Sequence, residues 1–477
     1  MCLFIHCDVD AKNPFSHDPN YHDTKGLHDE HEDRFGLYET EKLITAISKI
    51  TDLLRKCFGV AGSGIISTNL ARIHDGNTVM LKTIPGKLVY ALFGFAGIND
   101  FSFILRSLDQ EVMILINDVA NVVHNEVFRW GLGDGQCNKN SGSTFLMVYR
   151  IGDFKEVQMK KEKATNIIFQ NLRRKSDLFC GKKTNMKIKK SVKLKERSAA
   201  LSNMDILHLA SLPGINEFTD RALLGLLKSF AGIQRDKSLL NWKDDMRLGA
   251  GVGAFSLEVT FGLDAGWAVE GAVGSRYKID ATYLSPHVNM AARLMSTCTQ
   301  YCLTILLSEA VEELLSDPAR EKIRHVDTVF VKGSAVKQKI FTFDARHQGC
   351  HFFLHETTPE NADRSSYNFT PEIWNTDPDL GEMRRHITKE FEETFAQGRD
   401  LYINGDWPQA LVKLKEADKI MIETVTEDEL DESGISFDQV FEKDIGDGPS
   451  QSLISYIEKE GGIAPKNWRG VRLLTKK

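Results

Sequence analysis

The sequence predicts an α+β fold, with a mixed or antiparallel sheet covered by helices, followed by an α-helical C-terminal extension. Two observations lead to this prediction. Strand-like and helical patterns alternate irregularly over 86–347, with connections typical of hairpins as well as of crossovers. Beyond 381 the clear period is helical. The irregular order disfavours a doubly wound parallel sheet, in which strands and helices alternate regularly.

The N-terminal part is expected to contribute little to the core. Residues 1–40 are rich in Asp, His, Asn and Gly without a period, so we expect a poorly ordered arm, and the histidines match no compact metal-ligand spacing. The segment 41–85 begins with a helix. A stripe with spacings of four and three predicts it: Leu43, Ile47, Ile50, Leu54 and Cys57. The stripe fits either a short dimerising coiled coil or a helix that faces the core.

The domain expected at 86–347 supplies the sheet. Its patterns predict strands at 87–97, 143–151, 256–264, 328–333 and 337–345, a turn with a short strand at 266–275, and helices at 101–127, 218–233 and 287–300, while 305–315 continues the alternation. A basic insertion at 155–197 interrupts it, with 15 Lys and Arg against 4 Asp and Glu. The core of the insertion, KKTNMKIKKSVKLKER, lacks Trp and Tyr that could stack on bases, so nucleic acid is not favoured. A solvated loop or docking on an acidic surface, such as a tubulin-like polymer, remains.

The C-terminal third is expected to comprise a linker, a helical hairpin and a tail. The linker at 348–380 is polar, and the hairpin at 381–425 has helices at 382–403 and 406–423. The pattern resembles one tetratricopeptide hairpin, with small residues where helices approach and aromatics in the seam: Phe395, Gly398, Tyr402, Gly405, Trp407, Ala410 and Leu414. A single hairpin cannot bury both faces, so it should pack on the preceding domain or on a partner. The tail at 426–477 has a capped helix and Trp468, which needs a pocket.

Composition excludes a membrane span. Hydrophobic residues make up 42% of the 477 residues and charged residues 26%, and no window approaches the roughly 20 apolar residues of a transmembrane helix. The N-terminus also lacks the regions of a signal peptide. We therefore expect a cytoplasmic protein.

The stretch GLDAGWAVEGAVGSRYKIDATYLSPHVNMAARL at 262–294 resembles the second half of a class III adenylyl or guanylyl cyclase, including the VNxAxR element. The resemblance extends through FGFAGINDF and NKNSGSTFLMV to soluble cyclases of ciliates and related protists. It covers 40–347 strongly and the rest weakly. It implies a ferredoxin-like βαββαβ cyclase homology domain, with its active site between two such domains.

The resemblance also implies where a metal site should be. The family holds two divalent ions with one Asp in the F-x-D-I-x-x-F-T strand and one in the G-D turn of the next hairpin, because hard cations need oxygen ligands. Here those positions are Gly97 and Ser143. Neither supplies a carboxylate, and Asp100, three residues beyond Gly97, is expected to start the next helix. We therefore expect no metal bound by the chain alone, and Mg²⁺ or Mn²⁺ only through a partner that supplies the Asp pair.

The complementary half of the resemblance is partly retained. Lys139 matches the purine-contacting Lys, Asn289 the ribose-orienting Asn and Arg293 the transition-state Arg. Thr282 stands where the family reads the base edge, which leaves ATP or GTP open, and Lys332 is a candidate phosphate contact. Each has a structural alternative: an exposed Lys139, a capping or hydrogen-bonded Asn289, and an Arg293 paired to an acidic neighbour.

Two functions follow. The first is a non-catalytic pseudo-cyclase that acts as a structural or docking module, for example in a cytoskeletal assembly such as a cilium or axoneme. The alternative is a complementary subunit that completes a site with a second cyclase-homology chain and makes cAMP or cGMP. In both cases the chain alone is expected to be inactive.

Overall fold

A computed structural model describes residues 40–50, 53, 85–132, 135–163, 209–249, 255–274, 279–331, 336–345, 369–433 and 446–474. The chain divides into two compact units, Met1–Lys56 and Cys57–Lys477. In the first unit, helix α1 at 40–50 carries the start of the predicted stripe. Leu43, Ile47 and Ile50 keep 61%, 55% and 57% of their surface exposed. The arm at 1–39, Leu54 and Cys57 lie outside the described residues, and the two alternatives for this helix remain predictions.

A mixed sheet forms the centre of the second unit, which confirms the α+β class. Its described strands are β1 (Lys87–Ile98), β2 (Gly135–Ser141), β3 (Thr144–Asp153), β4 (Val259–Gly274), β5 (Ile279–Leu284), β6 (Ile305–Ser308), β7 (Ile323–Val331), β8 (Gln338–Phe343) and β9 (Arg472–Leu474). The order is β2-β3-β1-β4-β6-β8-β7-β9, and β5 pairs with β4. The pairs β4–β6 and β7–β9 are parallel, and the other described pairs are antiparallel.

Helices connect and cover these strands. They are α2 (Phe101–Leu108), α3 (Val112–Trp130), α4 (154–163), α5 (Ile215–Arg235), α6 (Lys237–Leu240), α7 (Pro286–Tyr301), α8 (Glu309–Leu314), α9 (Asp317–Arg320), α10 (Ile373–Thr376), α11 (Pro378–Met383), α12 (Lys389–Asn404), α13 (Trp407–Ser433) and α14 (Gly448–Lys459). Of the basic insertion, 155–163 lie in α4 and 164–197 lie outside the described residues. None of the described helices is both long and apolar enough to cross a bilayer.

The two faces of the sheet are covered differently. Val259, Phe261 and Leu263 of β4 belong to the core that also contains α3 and α5. On the opposite face α7 lies directly on β4, because a Cβ on Gly262 would collide with the backbone of α7 at Ala291 and Met295. Glycine is therefore required where helix and strand meet.

Several segments differ from the sequence prediction. The helix expected at 101–127 is broken, because Asp109 ends α2 with a left-handed φ of 48° before α3 begins. The turn expected within 266–275 is wrong, since β4 runs unbroken to Gly274 with β1 and β5 as partners. Pairing with β1 along 266–270 and with β5 along 269–274 stabilises an extended Gly- and Ala-rich run whose local pattern predicts a turn. The helix expected from 382 begins at Lys389, where Thr388 caps it by accepting from the amide of Phe391.

Part of the predicted linker belongs to the main core. Trp374, Leu380 and Met383 of α10 and α11 are buried in the core that contains α3 and α5. Lys228 of α5 holds the same segment through Asp377, with an Nζ–Oδ2 distance of 2.6 Å. The segment 369–383 is therefore packed structure rather than a polar connector.

The C-terminal helices α12, α13 and α14 build a separate small core. Gly398 of α12 allows close approach to α13, since a Cβ there would lie 2.9 Å from Cγ of Leu414. Trp468 finds its pocket against Tyr402 and Trp407, with ring centroids 5.2 Å away in both cases. Its Nε1 donates to the carbonyl oxygen of Tyr402 at 3.1 Å. The second face of the hairpin is thus covered by α14 and the tail of the same chain.

A buried ion network joins this small core to the sheet. Arg324 of β7 pairs with Asp344 and with Asp447, which caps α14, at Nη2–Oδ1 distances of 2.5 and 2.9 Å. Its guanidinium also stacks on Phe395 of α12, 4.3 Å from the ring centroid. Strand β9 then pairs with β7. Through these contacts the C-terminal helices are attached to the sheet beside β7 and β9.

Candidate functional site

The two positions where the sequence lacks carboxylates are neighbours in the sheet. Gly97 is buried in β1, between Thr144 of β3 and Thr260 of β4. Ser143 is half-buried in the turn before β3, and its carbonyl oxygen accepts from the amide of Ile98 at 3.0 Å. The hairpin and β1 therefore bring positions 97 and 143 together, with a hydrogen and a hydroxymethyl group as their side chains.

The space beside Gly97 is filled by a side chain of α7. A Cβ built on Gly97 would lie 2.6 Å from Sδ and 3.0 Å from Cε of Met295. These distances are shorter than ordinary van der Waals contact, so the thioether occupies the volume that a side chain at position 97 would need. The sequence reading missed Met295, because no local signal connects two residues so far apart in the chain.

This donor set does not fit a pair of hard divalent cations. Mg²⁺ requires oxygen ligands in near-octahedral geometry, whereas the groups here are a glycine, a neutral hydroxyl and a soft thioether. Asp100 is exposed at the start of α2 with a left-handed φ of 46°. Among the described residues, no group of three or more His, Cys, Asp or Glu side chains could hold a metal ion.

Helix α7 carries two of the residues that the sequence resemblance singled out, Asn289 and Arg293, on one side. Asn289 is exposed and Arg293 is half-buried, and a spacing of four places both on the same helix face. Within the described part of the chain, neither side chain has an ion pair or a hydrogen bond. Neither the paired-arginine alternative nor the hydrogen-bonded-asparagine alternative thus has a partner among these residues.

The two positions predicted to contact the purine lie on different strands. Thr282 is half-buried in β5, opposite Gly271 of β4, and is followed closely by α7. Lys139 is exposed on β2, which is separated from β4 by β3 and β1. Asn140 beside it contacts the ring of His124 at 3.2 Å, and burial lowers the pKa of His124 although this hydrogen bond opposes the shift. Lys332 lies outside the described residues.

A buried polar cluster sets the position of the first turn of α7. Asp264 of β4 contacts Nδ1 of His287 at 2.9 Å and accepts from the Ser308 hydroxyl at 2.5 Å. Ser285 caps the helix: its hydroxyl accepts from the amide of His287 and donates to the carbonyl of Trp267. Gly266 leaves room for the imidazole, which a Cβ there would overlap. The predicted helix at 287–300 gave no indication of this cluster, which joins residues far apart in the sequence.

The last turn of α7 is held as well. Tyr301 donates from its hydroxyl to Oδ2 of Asp327 in β7 at 2.6 Å. The guanidinium of Arg472 lies over the Tyr301 ring, 5.6 Å from its centroid. A Cβ on Gly448 would collide with the carbonyl of Tyr301. Contacts at both ends therefore hold α7 in place on the sheet.

The comparisons with known proteins point to cyclases for part of the chain. Residues 8–71 match a family model described as the all-helical domain of RasGEFs. An adenylate cyclase of Anabaena cylindrica is 33% identical over 105 residues, which span 22% of this chain and only 21% of that protein.

Two solved cyclase structures are similar to this chain. A bacterial light-regulated adenylyl cyclase is 17% identical, with a TM-score of 0.39, over 64% of this chain and 64% of that chain. A guanylate cyclase domain from Catenaria anguillulae, in complex with GTP, is 15% identical with a TM-score of 0.32, over 54% of this chain and 97% of that chain.

Proposed function

We propose that this chain is a pseudo-cyclase of the protist soluble type: a ferredoxin-like cyclase homology domain that does not make cyclic nucleotide and serves as a structural or docking module. The observation that carries the proposal is the metal half of the site. Gly97 and Ser143 offer no carboxylate, and the Met295 thioether fills the space beside Gly97. Cyclisation needs metal ions to activate the 3′-oxygen and to neutralise charge on the leaving pyrophosphate. The 33% identity to the Anabaena cylindrica adenylate cyclase supports the cyclase origin.

The exposed surface of the C-terminal helices is where we propose that a partner docks, since α14 and the tail already cover the face that the hairpin alone would leave open. They resemble a tetratricopeptide hairpin, and α14 with Trp468 completes their core. The Arg324 network fastens this unit to the sheet, so a partner bound to it would be carried rigidly with the cyclase-like domain. We propose a cytoplasmic assembly, with a cytoskeletal structure such as the axoneme as the candidate setting.

A specific observation favours a second candidate. Lys139 and Asn289 are exposed, and no ion pair or hydrogen bond within the described part of the chain engages them or Arg293. These groups remain available to a nucleotide held between two chains. The second candidate is therefore a complementary subunit, whose partner would supply the two Asp residues and with them Mg²⁺ or Mn²⁺.

The test measures cAMP and cGMP formed by the full-length chain from ATP or GTP with Mg²⁺ or Mn²⁺. We expect none above background, with an active class III cyclase as the positive control. Turnover by the unmodified chain that disappears in Arg293→Ala would refute the proposal.

A mixing experiment separates the two candidates. The added partner is a cyclase chain that keeps its two Asp residues but has its own Asn and Arg counterparts changed to Ala, so that only a mixed site can be active. Silence with this partner supports the pseudo-cyclase. Activity that appears on mixing, and is lost with Arg293→Ala, would establish the complementary subunit instead.

A further inference from the structure

We infer that Met295 closes the metal half of the site, so that carboxylates at positions 97 and 143 would not by themselves create a metal site. The inference rests on the proposed function, which equates Gly97 and Ser143 with metal-ligand positions. It adds that this half of the site lacks the volume for a side chain at position 97 as well as the two carboxylate ligands.

The contact between Met295 and Gly97 is close, and contacts at both ends of α7 hold the helix against the sheet. The nearest atoms to a Cβ at position 97 are Sδ and Cε of Met295, at 2.6 and 3.0 Å. The backbone of α7 rests on Gly262, so the helix already lies as near to β4 as its main chain allows. Its first turn is held through His287 and its last through Tyr301. Relief at position 97 must therefore come from the Met295 side chain alone.

The groups around position 97 would also fail to stabilise a carboxylate. Gly97 is buried, and a carboxylate transferred from water to a buried position needs hydrogen bonds or cations to offset the lost hydration. The groups next to it are the thioether and methyl of Met295, which donate no hydrogen bond. Methionine has three rotatable bonds and adapts more readily than other apolar side chains, so the question is whether its displacement leaves a usable cavity.

The two positions differ in this respect. Ser143 is half-buried in a turn, and its main chain already bonds to β1. Its side chain has no hydrogen bond to any described residue. Position 143 thus lacks a carboxylate, whereas position 97 lacks both the carboxylate and the space. Met295 causes this difference, because it fills the space beside position 97.

The experiment compares Mn²⁺ binding by variants of the full-length chain, measured from the EPR signal of free Mn²⁺. The double variant is Gly97→Asp with Ser143→Asp, and the triple variant adds Met295→Ala. Met290→Ala in place of Met295→Ala is the matched control, because Met290 lies on the same helix but belongs to the core formed with β6, β7 and β8. We expect the triple variant to bind Mn²⁺ at least ten times more tightly than the double variant, and the control to bind no better than the double variant.

If a folded triple variant binds Mn²⁺ no more tightly than the double variant, the inference is overturned. If the Asp variants do not fold, the same contact is tested by a cycle of Gly97→Ala and Met295→Ala in urea unfolding. A tenfold larger effect of Gly97→Ala on the folding equilibrium when Met295 is present supports the inference, and equal effects in both backgrounds overturn it. Cyclic nucleotide made by the unmodified chain would contradict the proposed function instead, and it requires none of these variants.

Discussion

The buried pair between Arg324 and Asp447 provides the sharpest test of how the C-terminal helices are attached. Arg324 donates to Asp447 twice, from Nη1 at 3.2 Å and from Nη2 at 2.9 Å, and both side chains are at most 5% exposed. Burial by itself would raise the pKa of Asp447, but Arg324 and the Ser450 donors outweigh it and hold that pKa below its usual value. The change Asp447→Asn keeps an oxygen that can cap α14 and removes the charge.

The cost of this change follows from the contacts that remain. Asp344 still neutralises Arg324, so the loss should be smaller than the 3–5 kcal/mol seen when a buried charge keeps no partner. Two charge-assisted hydrogen bonds disappear, and we expect about 2–4 kcal/mol less stability. The assay is urea unfolding followed by circular dichroism and tryptophan fluorescence. Glu458→Gln is the control, since the Lys415–Glu458 pair is exposed at its surface and should contribute less than about 1 kcal/mol.

If the free energy of unfolding of Asp447→Asn lies within about 1 kcal/mol of that of the unmodified chain, this reasoning is refuted. The desolvation of the buried pair would then cancel the attraction between its charges. The depressed pKa gives a second check. Its contribution to stability is present above the unfolded-state pKa of 3.8 and is lost as the pH falls through the folded-state pKa, so the variant should differ less from the unmodified chain under acid conditions.

Three further predictions follow from other parts of the structure. Burial raises the pKa of Asp327 to about 6 and lowers that of His325 to about 4. As the pH rises from 4 to 6, the contribution of Asp327 to the free energy of unfolding therefore falls, and that of His325 rises. In Asp327→Asn, the free energy of unfolding should thus increase from pH 5 to pH 7 by roughly 1 kcal/mol more than in the unmodified chain, as measured in urea, and an unchanged difference would contradict the assignment. Trp468→Ala should lower the free energy of unfolding by roughly 2–3 kcal/mol, because it empties the pocket beside Tyr402. Trp468→Phe should lower it by about 1 kcal/mol, because only the hydrogen bonds of the indole are lost. Equal losses in the two variants would contradict the larger share given to packing. Asn289→Ala should leave thermal stability within about 0.5 kcal/mol, because the exposed side chain has no partner in the described part of the chain, and a larger loss would point to a structural role.

The local sequence predicted the elements whose period is clear. The helix α7 and the strands β1 and β3 were predicted within two residues of their observed bounds, since each pattern repeats within a few residues. Predictions failed where tertiary partners override a local tendency. Strand β4 continues through a Gly-rich run because β1 pairs with its first part and β5 with its last part. Helices α10 and α11 form a buried segment although the sequence around them is polar.

The sequence by itself determined that positions 97 and 143 carry no carboxylate, because that property belongs to single residues. Only the tertiary structure decided what surrounds them. Met295 reaches Gly97 across 198 positions of the chain because Gly262 lets α7 lie on β4, and Asp447 meets Arg324 across 123 positions. Such contacts depend on how helices are laid on the sheet, and a local period carries no information about it. The missing ligands were therefore readable from the residues, whereas the missing space required the fold.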